Sequence, residues 1–343
     1  NPMTWAFMMT CTLTSTLIVL SSHHWLLVWL GLELNTLSII PIIIKTHHPR
    51  ATEAATKYFL IQTTAAALIL LSSTLNTWQT GQWTLTYTQS TNTTMIMLSA
   101  MLKLGLAPVH FWYPDVLQGS TLTTALIIST WQKIAPLSIL YLTSPSQSTI
   151  MLTVGLISAL IGGWVGLNQT QMRKLLAFSS IAHMGWLMTA LSLSPKLATL
   201  ALIIYLLTTS ATFLTLIMTA TKTSPDLGAI HACHPTLAVI LTLLVLSLGG
   251  LPPLTGFVPK WLTLNELVLQ GLVLLATLMA MSSLPGLYFY LRMTYTITLT
   301  TPPTNPTAKY KWRFKLAPTP LLMIMTPMTT LLLPMAPALA NTL

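Results

Sequence analysis

Apolar stretches long enough to cross a bilayer recur along the whole chain, and short polar or proline-containing connectors separate them. A membrane-spanning helix needs about 20 predominantly apolar residues. Because hydrocarbon offers no water to unpaired backbone groups, such stretches are predicted to be helical. We therefore predict an all-α polytopic membrane protein with about eleven transmembrane helices. The predicted spans are residues 3–21, 24–44, 57–75, 93–112, 120–142, 149–167, 174–193, 197–220, 237–268, 271–292 and 318–340.

Composition excludes a water-soluble protein. Of the 343 residues, 53% are hydrophobic and only 6% are charged, whereas a soluble domain has about 25% charged residues. We find no hydrophilic block large enough to fold separately, so residues 1–343 are predicted to form a single transmembrane domain. The net charge of +10 lies in short connectors, where lipid headgroups explain it better than nucleic acid does.

The basic residues also indicate an orientation. With eleven spans, the connectors alternate between the side of the N-terminus (side A) and the opposite side (side B). Eleven of the 15 Lys and Arg residues fall on side A, and only Lys196 falls on side B. The positive-inside rule then makes side A the cytoplasm-equivalent compartment. The other three basic residues, Lys103, Lys133 and Lys260, lie within spans.

Two of the predicted spans contain a helix break beside a lysine. Lys103 is followed by Gly105 and Pro108, and Gly249-Gly-Leu-Pro-Pro253 is followed by Lys260. Gly and Pro weaken or interrupt helices, so the second stretch is predicted to be two half-helices. Water or polar side chains are expected to satisfy the carbonyls freed at both breaks. A charge beside a helix break is typical of a midplane site in ion-transporting proteins.

The breaks occupy matching positions in a predicted internal duplication. Residues 1–142 and 149–292 are predicted to form two inverted five-helix repeats, each with one broken helix, and residues 318–340 add a C-terminal helix. Interrupted spans at corresponding positions of inverted repeats indicate a transport site. In this alignment, Glu33 of the second span corresponds to His183 of the seventh.

Ionisable residues inside the predicted spans are the candidate functional groups. Such a group costs at least about 2.5 kcal/mol in the bilayer and usually faces a wet or paired interior. Glu33 and the lysines therefore indicate a transport site or a structural ion pair, and both interpretations can hold together. His183 suits either a hydrogen-bonded core histidine or a proton relay.

Other motifs are assigned structural roles or none. Gly162, Gly163 and Gly166 are predicted to permit close helix packing. The segment His231-Ala-Cys-His234 lacks a fourth ligand and regular spacing, so we predict no metal site. Neither a nucleotide-binding glycine loop nor a cysteine cluster for iron–sulfur is present in the sequence.

Several motifs together resemble one family. They are Gly31-Leu-Glu-Leu-Asn35, Lys103-Leu-Gly-Leu-Ala-Pro-Val-His-Phe-Trp112, Leu167-Asn-Gln-Thr-Gln171, Arg173-Lys-Leu-Leu-Ala-Phe-Ser-Ser180, and Gly250-Leu-Pro-Pro-Leu-Thr-Gly-Phe257 with Lys260-Trp261. They are similar to NADH dehydrogenase subunit 2, the membrane-arm subunit family of respiratory complex I, which is related to proton and sodium antiporter subunits. The resemblance covers nearly the whole chain, and eleven spans fit the animal form.

The resemblance implies a function and a set of site residues. Family members couple electron transfer from NADH to ubiquinone with proton translocation across the mitochondrial inner membrane. By motif, the polar axis of the family corresponds to Glu33, Lys103, Lys133 and Lys260. His110 resembles the histidine that links the two lysine helices, and His183 resembles a polar bridge towards the second half.

The resemblance also implies partners and a location. No cofactor is expected in this chain, and NADH, FMN, iron–sulfur clusters and ubiquinone would bind other subunits. Expected partners are a neighbouring antiporter-like subunit, small membrane subunits and the lipid bilayer, without nucleic acid. The N-terminus is expected in the matrix and the C-terminus in the intermembrane space. The alternative is a stand-alone or multisubunit cation/proton antiporter subunit, which would transport ions without redox partners.

Overall fold

The computed structural model describes residues 2–45, 47–85, 89–143, 148–299, 320–331 and 333–335. Every named element in these ranges is a helix, so the predicted all-α polytopic class is confirmed. The chain divides into two compact units, Asn1–Gly155 and Leu156–Leu343.

The first unit contains seven complete α-helices among its described residues. They are α1 (Pro2–Ser21), α2 (Trp25–Ile44), α3 (Pro49–Thr80), α4 (Ser90–Leu104), α5 (Trp112–Gly119), α6 (Leu122–Ser129) and α7 (Ile134–Thr143). A 3-10 turn, Trp131–Lys133, joins α6 to α7. Helix α2 packs on α1 and α3, while α3 also packs on α4 and α5.

The second unit begins within α8, and its described helices follow in order. They are α8 (Ser148–Gly166), α9 (Met172–Leu193), α10 (Pro195–Thr219), α11 (Asp226–Cys233), α12 (Pro235–Gly249), α13 (Phe257–Leu269), α14 (Val273–Leu299) and α15 (Pro320–Leu331). Helix α10 contacts α9, α12, α13 and α15, and it therefore lies centrally in this unit.

The helices account for the predicted spans. Eight of them are long and apolar enough to cross a membrane, counting Leu122–Thr143 as one. The three remaining predicted spans correspond to α4 with α5, to α12 with α13, and to α15. The ends of the predicted span 318–340 and the side A residues Lys309, Lys311, Arg313 and Lys315 lie outside the described residues.

Two of the differences from the predicted spans have a clear local cause. Helix α3 begins at Pro49, not at residue 57, because the His48 ring accepts the Arg50 N–H and Pro49 fits the first helical position. The predicted span 120–142 is interrupted by the 3-10 turn that contains Lys133. Pro136 has no N–H for the Gln132 carbonyl, which explains a break at this point.

Connectors predicted to share a side meet within each unit. In the first unit, the His24 ring stacks on Trp83 with centroids 5.5 Å apart, and both residues were placed on side B. In the second unit, Met172 N–H donates to the Lys222 carbonyl at 3.0 Å. The Arg292 guanidinium donates to the carbonyls of Leu167 and Gln169 at 2.7 Å each. All of these connectors were placed on side A, so the contacts support the predicted alternation.

Hydrogen bonds order the side A connector before α11. The Asp226 carboxylate accepts the backbone N–H groups of Thr223 at 2.9 Å and Lys222 at 3.3 Å. These bonds, chiefly the one from Thr223, hold the pKa of Asp226 below its usual value.

Glycines of α8 permit the close packing predicted from sequence. A Cβ on Gly162 would lie 2.7 Å from the Ala182 nitrogen and 2.8 Å from the Phe178 carbonyl oxygen of α9. A Cβ on Gly166 would meet the Phe289 ring of α14 at 3.0 Å. Helix α8 therefore approaches the α9 backbone at a distance that only glycine permits.

Candidate functional site

The first helix break places Lys103 in the last turn of α4. Gly105 adopts a left-handed conformation with φ of 71°, which glycine reaches without steric cost. The N–H of Leu106 then donates to the Met101 carbonyl at 3.1 Å and closes the helix end. The Lys103 side chain points into the helix bundle and is only 7% exposed.

Gln62 of α3 pairs with Lys103 at this break. The Lys103 ammonium donates to the Gln62 backbone carbonyl at 3.2 Å. In return, the Gln62 amide donates to the Lys103 backbone carbonyl at 3.3 Å. The expected polar side chain beside the first break is thereby confirmed.

Lys133 lies on the 3-10 turn and is 3% exposed. Its ammonium sits over the Tyr113 ring, 5.0 Å from the centroid. The adjacent Gln132 forms a reciprocal amide pair with Asn35 of α2, with both hydrogen bonds at 2.8 Å. This amide pair fixes the turn that presents Lys133.

Lys103 and Lys133 line one cavity inside the first unit. The cavity has a volume of about 20 Å³, which is room for about one water. Its other polar lining residues are Asn35, Thr36, Tyr58, Gln62, Tyr113 and Gln132. Two lysine side chains thus face a space with enough polar partners to hold a bridging water.

Glu33 and His110 are not among the residues that line this cavity. Glu33 is half-buried on α2, and its carboxylate accepts the Thr36 hydroxyl at 3.1 Å. Among the described residues, Glu33 makes no direct ion pair with a lysine, and Lys57 is the cation in both pairs found there. His110 is buried in the segment after the break, with its Nδ1 3.2 Å from the Pro108 carbonyl oxygen.

The second break also combines a left-handed glycine with a lysine, but here the lysine, Lys260, follows the break. Helix α12 ends with Gly250 in a left-handed conformation, φ 79°. The Lys260 ammonium of α13 donates to the freed Gly249 carbonyl at 2.8 Å. The predicted half-helices and the expected polar side chain at this break are both confirmed. His183 lies on α9 with its ring 5.8 Å from the Tyr205 ring of α10.

Sequence analysis missed the amide and aromatic groups around the lysines. Asn35 and Gln62 were visible as amides inside apolar spans, and an amide in hydrocarbon needs a partner. Gln132 and Tyr113 adjoin predicted site residues but were assigned no role. In the described part of the chain, His, Cys, Asp and Glu side chains form no group of three that could hold a metal ion.

Polytopic helices with two lysine-bearing breaks define the class of antiporter-like membrane subunits, and the comparisons agree. Residues 22–285 match the family model described as NADH:quinone oxidoreductase/Mrp antiporter, transmembrane. Residues 287–340 match the model described as NADH dehydrogenase subunit 2 C-terminus. The chain belongs to the NADH-ubiquinone oxidoreductase chain 2 family.

Relatives match over nearly their full length. The chain is 52% identical to the NADH-ubiquinone oxidoreductase chain 2 of Tetraodon nigroviridis, covering 94% of this chain and 93% of that one. It is 49% identical to the corresponding chain of Xenopus laevis, covering 98% and 99%. The chain is therefore a membrane subunit of a multisubunit, H⁺-translocating NADH:ubiquinone oxidoreductase.

Solved structures share the fold. A chain of respiratory complex I from Thermus thermophilus, solved with bound aureothin, superimposes with a TM-score of 0.84 at 25% identity, covering 98% of this chain and 80% of that one. A chain of the Mrp complex from Dietzia gives a TM-score of 0.81 at 16% identity, covering 97% and 75%. The second match shows a common fold alone.

Proposed function

We propose that Lys103 and Lys133 form a proton relay through which this subunit contributes to proton translocation. The observation that supports the relay most directly is that both buried lysines line the same water-sized cavity. In this proposal, a proton leaving one ammonium reaches the other amine through water in this cavity. Intramembrane ionisable groups are in general associated with such functional pathways.

Glu33 is the group that controls the relay in this proposal. Its carboxylate interacts electrostatically with Lys103 without contacting it. Burial disfavours the charged form of a lysine and a nearby carboxylate favours it. A change in the position or charge of Glu33 therefore changes whether Lys103 holds its proton. His110 is assigned to the path from the first break to Lys133, while His183 and Lys260 are the relay groups of the second unit.

The proposal extends to the setting of the chain. Redox chemistry with NADH, FMN, iron–sulfur clusters and ubiquinone is assigned to other subunits. A neighbouring antiporter-like subunit and small membrane subunits are the proposed contacts within the mitochondrial inner membrane. The two inverted repeats remain a prediction, which the left-handed glycine and nearby lysine at both breaks support.

Substitution of Lys103 tests the relay. Lys103→Met removes the proton carrier, and Lys103→Arg keeps the charge but does not release a proton at accessible pH. We expect both variants to assemble and to lose the proton translocation that depends on this chain. The measurement is quinone-coupled proton pumping by the assembled complex in sealed vesicles.

Lys196→Met provides the matched control, because Lys196 is exposed at the start of α10. It should pump as the unmodified complex does. If Lys103→Arg assembles and pumps normally, Lys103 is a structural cation and the relay is wrong.

A further inference from the structure

Helix α5 packs against α3 at three points. The Trp112 ring meets Tyr58 edge-on with centroids 5.8 Å apart, and Asp115 pairs with the Lys57 ammonium at 2.8 Å. At the end of α5, a Cβ on Gly119 would lie 2.6 Å from the Arg50 carbonyl oxygen. These contacts follow α3 over two turns and set the position of the eight-residue α5.

Tyr113, the second residue of α5, covers Lys133. The Tyr113 side chain is 1% exposed, and its ring centroid lies 5.0 Å from the Lys133 ammonium. The negative face of an aromatic ring attracts a cation and does not attract a neutral amine in the same way. The ring therefore favours Lys133 with its proton bound, and the geometry of α5 determines how well it does so.

We propose that Tyr113 is a positioning residue of the proton relay. Its ring holds the protonated Lys133 in the cavity, and the packing of α5 against α3 holds the ring in place. This inference rests on the relay proposed above. Tyr113 touches Lys133 through its ring face, whereas Asp115 and Lys57 act only through α5. The titratable groups that line the cavity with Lys133 are Lys103 of α4, Tyr58 of α3 and Tyr113 of α5, and α2 contributes the neutral Asn35 and Thr36.

Two substitutions at Tyr113 separate the ring from the hydroxyl. Tyr113→Leu removes the ring face, and Tyr113→Phe keeps it. The cation–π contact corresponds to roughly 2- to 30-fold in the proton occupancy of Lys133. In assembled complex in sealed vesicles, Tyr113→Leu should shift the alkaline limb of the pumping–pH profile to lower pH by about 0.4–1.5 units. Tyr113→Phe should leave that limb in place.

A matched pair of carboxylate variants tests whether the contact between α5 and α3 positions Tyr113. Asp115 and Glu53 both bind the Lys57 ammonium, at 2.8 and 2.7 Å, but only Asp115 belongs to α5. Asp115→Asn should shift the same limb in the same direction by less than Tyr113→Leu does, because the pair is partly exposed and screened. Glu53→Gln should not shift it.

The outcomes distinguish this inference from the relay itself. If Lys133→Met assembles and pumps normally, the relay fails first. If Lys133→Met stops pumping while Tyr113→Leu assembles with an unshifted profile, the relay stands and the role of Tyr113 is refuted. Equal shifts from Asp115→Asn and Glu53→Gln would refute the role of the α5–α3 contact in positioning Tyr113, since a general effect on Lys57 would then explain both. Assembly is measured separately by native electrophoresis.

Discussion

At the scale of single residues, the Asn35–Gln132 pair connects packing to chemistry. Two amides that exchange both hydrogen bonds satisfy each other inside an apolar bundle, where an unpaired amide is costly. The pair joins α2 to the 3-10 turn next to Lys133. The turn that carries Lys133 is therefore attached to α2 by a neutral amide pair, and its position does not depend on a hydrogen bond from the lysine itself.

Replacing one amide of this pair should lower the stability of the assembled complex more than replacing both. Asn35→Leu leaves the Gln132 amide with only the long contact from the Tyr58 hydroxyl, at 3.5 Å, whereas Asn35→Leu with Gln132→Met removes both amides at similar volume. We expect a coupling of about 0.6–1.7 kcal/mol in a double-mutant cycle on the thermal stability of the assembled complex. Additive effects of the two substitutions would show that the hydrogen bonds do not stabilise the turn.

At the scale of helices, both breaks use a left-handed glycine and a lysine, yet they differ in how the broken ends meet. At the second break, Gly256 at the start of α13 lies directly against the Ser247 carbonyl of α12. A side chain at this position would collide with the backbone. The start of α13 consequently lies against the last turn of α12.

Gly256→Ala should therefore destabilise the second unit, by about 1–3 kcal/mol for an overpacked site. Gly249→Ala is the matched control, because its added Cβ would meet the Tyr290 ring at an ordinary 3.6 Å. The thermal stability of the assembled complex is the measurement. A Gly256→Ala complex as stable as the Gly249→Ala complex would contradict the close approach of α12 and α13.

The helices that sequence predicted well are those with strong local signals. Apolar length predicted the continuous helices, and Gly105, Pro108 and Gly249–Pro253 predicted the breaks. The 3-10 turn was missed because its only local cause, Pro136, lies three residues beyond Lys133 in an otherwise apolar run. The start of α3 was placed late because Arg50, Glu53 and Lys57 were taken as a connector, although the capping His48 was present.

Most of the site depends on partners far apart in the sequence. Asn35 meets Gln132 across 97 positions, and Gln62 meets Lys103 across 41. Local patterns identify the ionisable residues, because a charge in hydrocarbon is rare. They do not identify which amide or ring reaches each charge, since that depends on how the helices pack.

At the scale of the whole molecule, the connector contacts within each unit agree with an alternating path through the bilayer. Gln82 lies in the connector that meets the α1–α2 connector, and Asn168 lies in the connector bound by Arg292. From the charge distribution we predict the first on the intermembrane-space side and the second on the matrix side.

Labelling with a membrane-impermeant maleimide tests that orientation, because Gln82 and Asn168 are both exposed. Gln82→Cys should react in right-side-out vesicles and Asn168→Cys in inverted ones. The unmodified chain provides the background from its own cysteines. Reaction of both variants from the same face would overturn the eleven-span topology.

Helix α3 has 32 residues, which is about 48 Å of helix in a hydrocarbon layer about 30 Å thick. Its ends must therefore reach the headgroups, where Lys57 binds Asp115 at one end and Gln79 accepts the Asn92 amide at the other. The tilt of α3 then responds to the thickness of the surrounding lipid. Since α5 rests on α3, the proposed relay is expected to respond to bilayer thickness, separately from voltage and from redox state.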